Sequence, residues 1–192
     1  MSERKYYRMY AECCIEDYVQ PGPELEPLMA CCRASEFQFL DHGALECSLA
    51  DSGGVEFPDF LLDGDCVPLI SEKFRQLLDG LGVDNLYYKK IILAAPDLGL
   101  KEYYWLALPP RIDCLDREES EIEVESSRYR PPEEWRRHAE RIVINPAMVG
   151  NYKIFKLPQG FDNDDIIVTA EVRDAVLSRQ LKNVYFSEVE ES

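Results

Sequence analysis

A pattern of strand, capped helix, turn and strand occurs twice in this chain, and it constrains the fold more than any other feature. Residues 68–91 read PLISEKFRQLLDGLGVDNLYYKKI, and residues 166–189 read IIVTAEVRDAVLSRQLKNVYFSEV. A shift of 98 positions, which carries Ser71 onto Thr169 and Asn85 onto Asn183, aligns the two stretches without a gap. We interpret them as two related units, each of which packs a helix on a sheet.

The helix of the first unit is predicted by its ends as well as by its apolar positions. Ser71 follows a short apolar run and occupies the position of an N-terminal cap. One helical face then carries four apolar side chains, Phe74, Leu77, Leu78 and Leu81. Gly80 and Gly82 end the helix, because glycine adopts the left-handed conformation at little cost.

The remaining strands are short and mixed with few helices, which indicates an α+β fold with a largely antiparallel sheet. We see no convincing linker, so residues 1–192 are expected to form one domain, with an acidic subregion over 1–65 and a core over 66–192. The charged stretch Glu118 to Glu134 is interpreted as a long surface loop, and Glu133 to Arg141 as a turn or two of helix.

Acidic side chains are concentrated in the first third of the chain, which has a formal net charge of −16 as a whole. Between Glu12 and Asp65 there are thirteen acidic residues and one base, Arg33. Such a distribution repels nucleic acid and anionic membranes and attracts a basic protein surface. Solubility alone explains the total charge, but it explains the near absence of bases from this third less well.

Seven cysteines are present, and they include two adjacent pairs. The first residues, MSERKYYRMYAE, lack the apolar segment of a secretion signal, so we expect a cytoplasmic protein with reduced thiols. The alternative is a zinc site, for which the candidate ligands are Cys13, Cys14, Cys31, Cys32, His42 and Cys47. Adjacent cysteines rarely direct both sulfurs to one ion, which favours free thiols over zinc.

The sequence predicts no catalytic residue, no cofactor and no metal site. Its two histidines, His42 and His138, fall in a turn signal and in an arginine-rich segment. The sequence has no glycine-rich phosphate loop and no serine-nucleophile motif. Asp63 and Asp65 lack the ligand spacing of an EF-hand and are interpreted as part of a turn. These observations favour a binding protein over an enzyme.

From Phe57 to Val189 the order of motifs resembles a family of bacterial immunity proteins from polymorphic toxin systems, formerly classed as a domain of unknown function. The segments PLISEKF, YYWLAL, DCLDREES, IFKLP and NVYFSEV contribute to the resemblance. The residues that carry it are Pro68, Ser71, Tyr103, Tyr104, Asp113, Leu115, Asp116, Ser120, Phe155, Thr169, Val184 and Phe186. The insert from Arg128 to Arg141 is longer and more charged than the family pattern.

The resemblance implies a non-enzymatic protein that binds and neutralises a cognate toxin, often a nuclease, in the cytoplasm. It transfers neither catalytic nor toxin-contact residues. A nuclease has a basic cleft, which an acidic protein surface complements, so we expect the contact surface in the acidic third. The candidate partner-binding residues are Asp41, Glu46, Asp51, Glu56, Asp59, Asp63 and Asp65. We expect no direct binding of nucleic acid or membrane, and the alternative function is an acidic scaffold or adaptor without a toxin.

Overall fold

A computed structural model describes residues 5–12, 15–34, 43–50, 53–63, 67–125, 128, 136–158 and 165–191. The prediction of an α+β fold is confirmed. In chain order the elements are β1 (Tyr6–Tyr10), α1 (Glu26–Ala34), β2 (Leu45–Ser48), β3 (Phe60–Asp63), β4 (Val67–Ser71), α2 (Glu72–Gly80), β5 (Tyr87–Ala95), β6 (Leu100–Leu108), β7 (Glu121–Glu125), β8 (Arg136–Arg141), β9 (Val143–Ile144), α3 (Pro146–Val149), β10 (Ile154–Lys156), β11 (Ile166–Thr169), α4 (Ala170–Ser178) and β12 (Tyr185–Glu191).

Ten of these strands form two five-stranded sheets with the same arrangement. The order of the first sheet is β3–β4–β6–β5–β2, and that of the second is β10–β11–β1–β12–β9. In each sheet three successive pairs of strands are antiparallel and the last pair is parallel. The two repeated units therefore belong to different sheets, and the mostly antiparallel pairing agrees with the prediction.

The repeat in the sequence is also a repeat in the structure. Helices α2 and α4 each have nine residues, and the 98-position shift superposes their bounds as well as the starts of β5 and β12. Each helix is followed by a left-handed residue at the matching position, Gly82 with a φ of 69° and Gln180 with a φ of 52°. Glycine adopts this conformation more readily than glutamine, so the first unit has the less strained turn.

The strand β1 takes the place in the second sheet that β6 takes in the first. Ser71 of β4 lies opposite Tyr104 of β6, and Thr169 of β11 lies opposite Tyr6 of β1. Both tyrosines are buried. The repeated unit predicted from the sequence lacks this central strand, because β6 follows its unit directly whereas β1 comes from the other end of the chain.

Matching cation–π contacts extend the equivalence of β6 and β1 to side chains. The guanidinium carbon of Arg75 lies 3.9 Å from the ring centroid of Trp105, and that of Arg173 lies 3.9 Å from the ring centroid of Tyr7. The two arginines are related by the 98-position shift. The two aromatic residues occupy equivalent positions, because each comes directly after the tyrosine that pairs with the cap residue. The two halves are therefore built alike down to individual contacts.

A single apolar core lies between the two sheets and includes both repeated helices. Its buried members come from β1, β3, β4, β6, β10, β11, α2, α4 and the turns that follow the helices, and they are Tyr7, Met9, Phe60, Ile70, Phe74, Leu78, Val83, Ala107, Ile154, Ile166, Val168, Val172, Val176, Leu181 and Val184. A second cluster, with Leu25 and Cys32, packs on the outer face of the first sheet. A third, with Cys114 and Ile142, packs on part of the outer face of the second.

Two asparagines at matching positions tie each half to the other. The Asn85 side chain donates a hydrogen bond of 2.8 Å to the carbonyl of Ile154 in β10. The Asn183 side chain donates one of 3.0 Å to the carbonyl of Phe60 in β3. Asn183 also accepts from the amide of Glu12 at 3.1 Å and donates to its carbonyl at 3.3 Å. The second asparagine therefore holds three chain segments together.

The two helix caps differ although both are hydroxyl residues at the predicted position. The Ser71 hydroxyl accepts from the amide of Phe74 at 3.1 Å and donates to the Asp59 carboxylate at 2.7 Å. The Thr169 hydroxyl caps no amide and has no hydrogen-bond partner among the described residues. Only the first cap therefore contributes the usual stabilisation.

We therefore expect Ser71→Ala to lower the free energy of unfolding by about 1.5 kcal/mol, because it removes both hydrogen bonds of the cap. Thr169→Val is the matched control and is expected to change it by less than about 0.5 kcal/mol, since the hydroxyl forms no bond to lose. Urea unfolding followed by circular dichroism measures both values. Equal losses in the two variants would contradict the assignment of the cap to Ser71.

The prediction of a long surface loop from Glu118 to Glu134 is wrong for its first part, and the predicted helical turn is wrong for residues 136–141. Strands β7 and β8 form an antiparallel two-stranded sheet. The apolar pattern of the hairpin is incomplete, because Ile122 and Val124 alternate with glutamates in β7 but β8 has Ala139 as its one apolar residue. The backbone register places glutamates of β7 opposite basic residue types of β8, a kind of cross-strand pairing that favours a hairpin. The register of acidic and basic positions is Glu121 with Arg141, Glu123 with His138 and Glu125 with Arg136.

Candidate functional site

The structure distributes the predicted partner-binding residues over several environments. Asp41, Asp51 and Asp65 lie outside the described residues. Asp63 is the last residue of β3, and its side chain is outside the described part. Glu46 is exposed in the middle of β2. The remaining two, Glu56 and Asp59, lie beside the turn at Lys182 and differ from each other in burial.

Asp59 forms structural contacts. Its carboxylate accepts from the Ser71 hydroxyl at 2.7 Å and from the backbone amide of Lys182 at 2.8 Å. Its backbone amide donates to the carbonyl of Lys182 at 3.1 Å, and Lys73 adds an ion pair of 3.8 Å. Asp59 thus joins the cap of α2 to the turn that precedes β12. A charge reversal at this position would disturb the fold as well as any surface.

Acidic residues that are remote in the sequence come together where the segment 15–22 runs along residues 48–56. The amide of Val19 donates to the carbonyl of Glu56 at 3.0 Å, and the amide of Glu56 donates to the carbonyl of Asp17 at 2.9 Å. Further along, the Ser48 hydroxyl donates to the Glu24 carboxylate at 2.8 Å. Hydrogen bonds from its own amide and from Ser48 hold the pKa of Glu24 below its ordinary value. These backbone ladders fix the positions of the carboxylates.

The described part of the acidic third exposes seven carboxylates, which we call the acidic surface: Glu12, Glu16, Asp17, Glu24, Glu26, Glu46 and Glu56. Within the described residues, Lys182 is the one base that forms an ion pair with any of them, at 3.0 Å from Glu56. A concentrated negative charge in this region remains a prediction. A single exposed ion pair such as Glu56 with Lys182 contributes little to stability, so it is a small barrier to contact with a partner.

A pair of stacked tyrosines that the sequence did not predict lies beside the acidic surface. Tyr10 at the end of β1 lies opposite Tyr185 at the start of β12, and their rings stack with centroids 5.8 Å apart at 29°. They are 41% and 36% exposed. Partial burial raises the pKa of Tyr185, and the nearby Glu12 carboxylate and Tyr18 ring add to that shift. The alternation of tyrosines near residue 6 was visible in the sequence, but the partner strand from the far end of the chain was not.

An open groove of about 420 Å³ adjoins this pair on the outer face of the second sheet. It contains Arg8 and Arg141 and is otherwise lined by Ser187, two apolar residues and three glutamates. Arg8 pairs with Asp165 at 3.3 Å, and the Nε of Arg141 donates to Glu190 at 2.8 Å. The bases of the groove are therefore engaged within the protein, which makes it a weaker candidate for a charged ligand.

Three of the seven cysteines can be placed with their side chains. Cys32, Cys47 and Cys114 are buried free thiols. Burial raises the pKa of Cys114 to about 12, with a smaller contribution from the neighbouring Asp113 carboxylate. Across the described ranges, no three His, Cys, Asp or Glu side chains are grouped as metal ligands. His42, Cys13 and Cys14 lie outside those ranges, and the side chain of Cys31 is not described.

Comparisons with known proteins identify the family. In the part of the chain that the structure describes, every helix is too short or too polar to cross a membrane. A search of curated proteins finds no match to the sequence. The model of the immunity protein family Imm11 matches residues 48–191, which include both repeated units and every strand of the two sheets except β1 and the first residues of β2. This chain belongs to the Imm11 immunity protein family.

Proposed function

We propose that this protein is a non-enzymatic immunity protein that binds a cognate bacterial toxin in the cytoplasm and neutralises it through the acidic surface. Membership of the immunity protein family carries the proposal. The toxin would present a basic surface, as a nuclease does where it binds phosphates. We infer that residues 1–192 act as one domain, because the two sheets share one core. The charge of the acidic surface argues against direct binding of nucleic acid or anionic membrane.

Among the candidate residues, Glu46 and Glu56 are the best placed for direct contact because both are exposed. Asp41, Asp51, Asp63 and Asp65 remain proposed contacts on the strength of their charge. Asp59 is the exception within the set, since its carboxylate bonds within the fold. Complementary charges at such an interface accelerate association and make it sensitive to salt.

The test is to purify the tagged chain together with the product of the adjacent gene at low and at high salt. We expect a stable complex that suppresses the toxic activity, with an association rate that falls by roughly tenfold or more as salt rises. Glu46→Lys is expected to weaken the complex, and Glu102→Lys, an exposed acid on β6, serves as the matched control.

Each alternative outcome has a distinct meaning. Absence of a complex, with the neighbouring protein expressed and folded, would overturn the immunity function. A complex that is indifferent to salt and to Glu46→Lys would retain immunity but would contradict binding through the acidic surface.

A further inference from the structure

The two sheets have equivalent outer faces that are covered differently. Tyr6 of β1 and Tyr104 of β6 are equivalent positions, and four residues later Tyr10 is equivalent to Leu108. By the 98-position shift, Tyr185 of β12 is equivalent to Tyr87 of β5. In the first sheet Leu108 is fully buried. It belongs to the cluster that contains Cys32 of α1 and, from the segment before α1, Val19 and Leu25. The corresponding positions of the second sheet remain exposed, with stacked tyrosine rings where the first sheet has a covered core.

The exposed tyrosines belong to a larger patch, which we call the tyrosine patch: Tyr10, Glu12, Tyr18, Glu56 and Tyr185. Tyr18 and Glu56 are paired in a parallel bridge. Both raise the pKa of Lys182, and the largest cause is the hydrogen bond of 3.0 Å that Lys182 donates to the Glu56 carboxylate. The patch therefore joins the outer face of the second sheet to the acidic surface.

Hydrogen bonds fix the backbone that carries the patch. Asn183, which is buried, bonds to both the amide and the carbonyl of Glu12 and so fixes the chain two residues after Tyr10. The amide of Gly54 donates to the carbonyl of Tyr18 at 2.8 Å, and Val19 donates to Glu56 at 3.0 Å. Rigid aromatic side chains that are ordered before binding lose little entropy when a partner docks, which is a common property of interface hot spots.

We propose that the tyrosine patch is the docking point for an arginine-bearing surface of the cognate toxin. This inference rests on the proposed immunity function and names the centre of the interface. A guanidinium group can stack on a tyrosine ring and pair with a carboxylate at the same time, so it matches a surface on which both groups are adjacent. Among the described residues, Lys182 pairs with Glu56 and Arg8 of the adjoining groove pairs with Asp165, which leaves the exposed Glu12 carboxylate to complement a cation.

The test measures binding of the purified toxin, the product of the adjacent gene, to the tagged full chain by biolayer interferometry. Tyr10→Ala combined with Tyr185→Ala is expected to weaken binding about 100-fold, as truncation of two aromatic anchors does at other interfaces. Tyr103→Ala is the matched control, because Tyr103 is 43% exposed on β6, the strand equivalent to β1, and lies beside Lys90 and Lys101. It should change affinity by less than about threefold.

A second variant separates charge from packing. Glu12→Gln keeps the shape of the side chain and is expected to reduce the salt dependence of association while leaving thermal unfolding within about 2 °C of the unmodified chain, because the fold uses only the backbone of Glu12. Reduced salt dependence supports an arginine contact at the patch. Unchanged salt dependence would overturn it.

Three results would overturn the docking point. If the unmodified chain binds toxin and the double tyrosine variant, with unchanged unfolding, binds equally well, the docking point fails while the immunity function stands. If the unmodified chain binds no toxin, the function and the docking point fail together. Self-association that sedimentation detects in the unmodified chain and that the double variant abolishes would assign the patch to a second copy of the chain.

Discussion

Phe74→Ala is expected to lower the free energy of unfolding by about 4 kcal/mol. Phe74 is fully buried on α2, and its ring meets that of Phe60 edge to face with centroids 6.2 Å apart. Both rings lie in the core that the two sheets share, so truncation leaves a cavity between the halves and removes an aromatic contact. Urea unfolding of the purified variant, monitored by near- and far-ultraviolet circular dichroism, measures the loss.

Two positions on α4 calibrate the effect of Phe74→Ala. Val172 is the equivalent of Phe74 in the second unit and is also fully buried, so Val172→Ala is expected to cost about 2 kcal/mol, in proportion to its smaller volume. Leu177 is 56% exposed, and Leu177→Ala should cost less than about 0.5 kcal/mol. A cost of Phe74→Ala similar to that of Leu177→Ala would show that the two sheets do not share the core described above.

Asn183→Ala is expected to lower the free energy of unfolding by about 3 kcal/mol. Asn183 is buried at a φ of 61° and forms three hydrogen bonds with Glu12 and Phe60. The substitution leaves the backbone groups of those two residues without these partners. It also removes a residue type that tolerates the left-handed conformation better than alanine does.

Asn85→Ala provides the matched control for Asn183→Ala because Asn85 occupies the same position of the first unit. Asn85 is only half buried and donates one described side-chain hydrogen bond, to Ile154, so we expect a loss of about 1 kcal/mol. Asn183→Gly separates the two causes, since it relieves the backbone strain but not the loss of bonds. If the alanine variants of Asn85 and Asn183 lost equal stability, Asn183 would not be the bridge between three segments.

The repeated units could be predicted because their determinants are local. The cap at Ser71, the apolar spacing of α2 and the stop at Gly82 lie within twelve residues. The second unit repeats a hydroxyl residue, the apolar spacing and a left-handed residue in register, although Thr169 forms no cap within the described part of the chain. The location of β1 could not be predicted in this way. Its neighbours β11 and β12 come from the far end of the chain, and their pairing depends on tertiary contacts that leave no local pattern.

The candidate site was predictable in charge but not in geometry. Composition indicated that the first third is acidic, yet it could not distinguish Glu56, which is exposed, from Asp59, whose carboxylate bonds to a cap and a turn. The contact between the two tyrosines could not be predicted, for the same reason that the location of β1 could not. Tyr10 and Tyr185 become neighbours only when strands remote in sequence align.

The position of β1 at the centre of the second sheet has a consequence for synthesis on the ribosome. The first sheet is continuous from β2 to β6, so its strands can pair as soon as that stretch has emerged. The second sheet cannot close until β12 has been made, and the hydrogen bonds between Glu12 and Asn183 span 171 positions. A nascent chain would therefore hold the paired strands of the first sheet and an unpaired β1 until translation reaches β11 and β12. If the tyrosine patch is the docking point that we propose, the chain could bind the toxin only after that point, since the patch needs both strands.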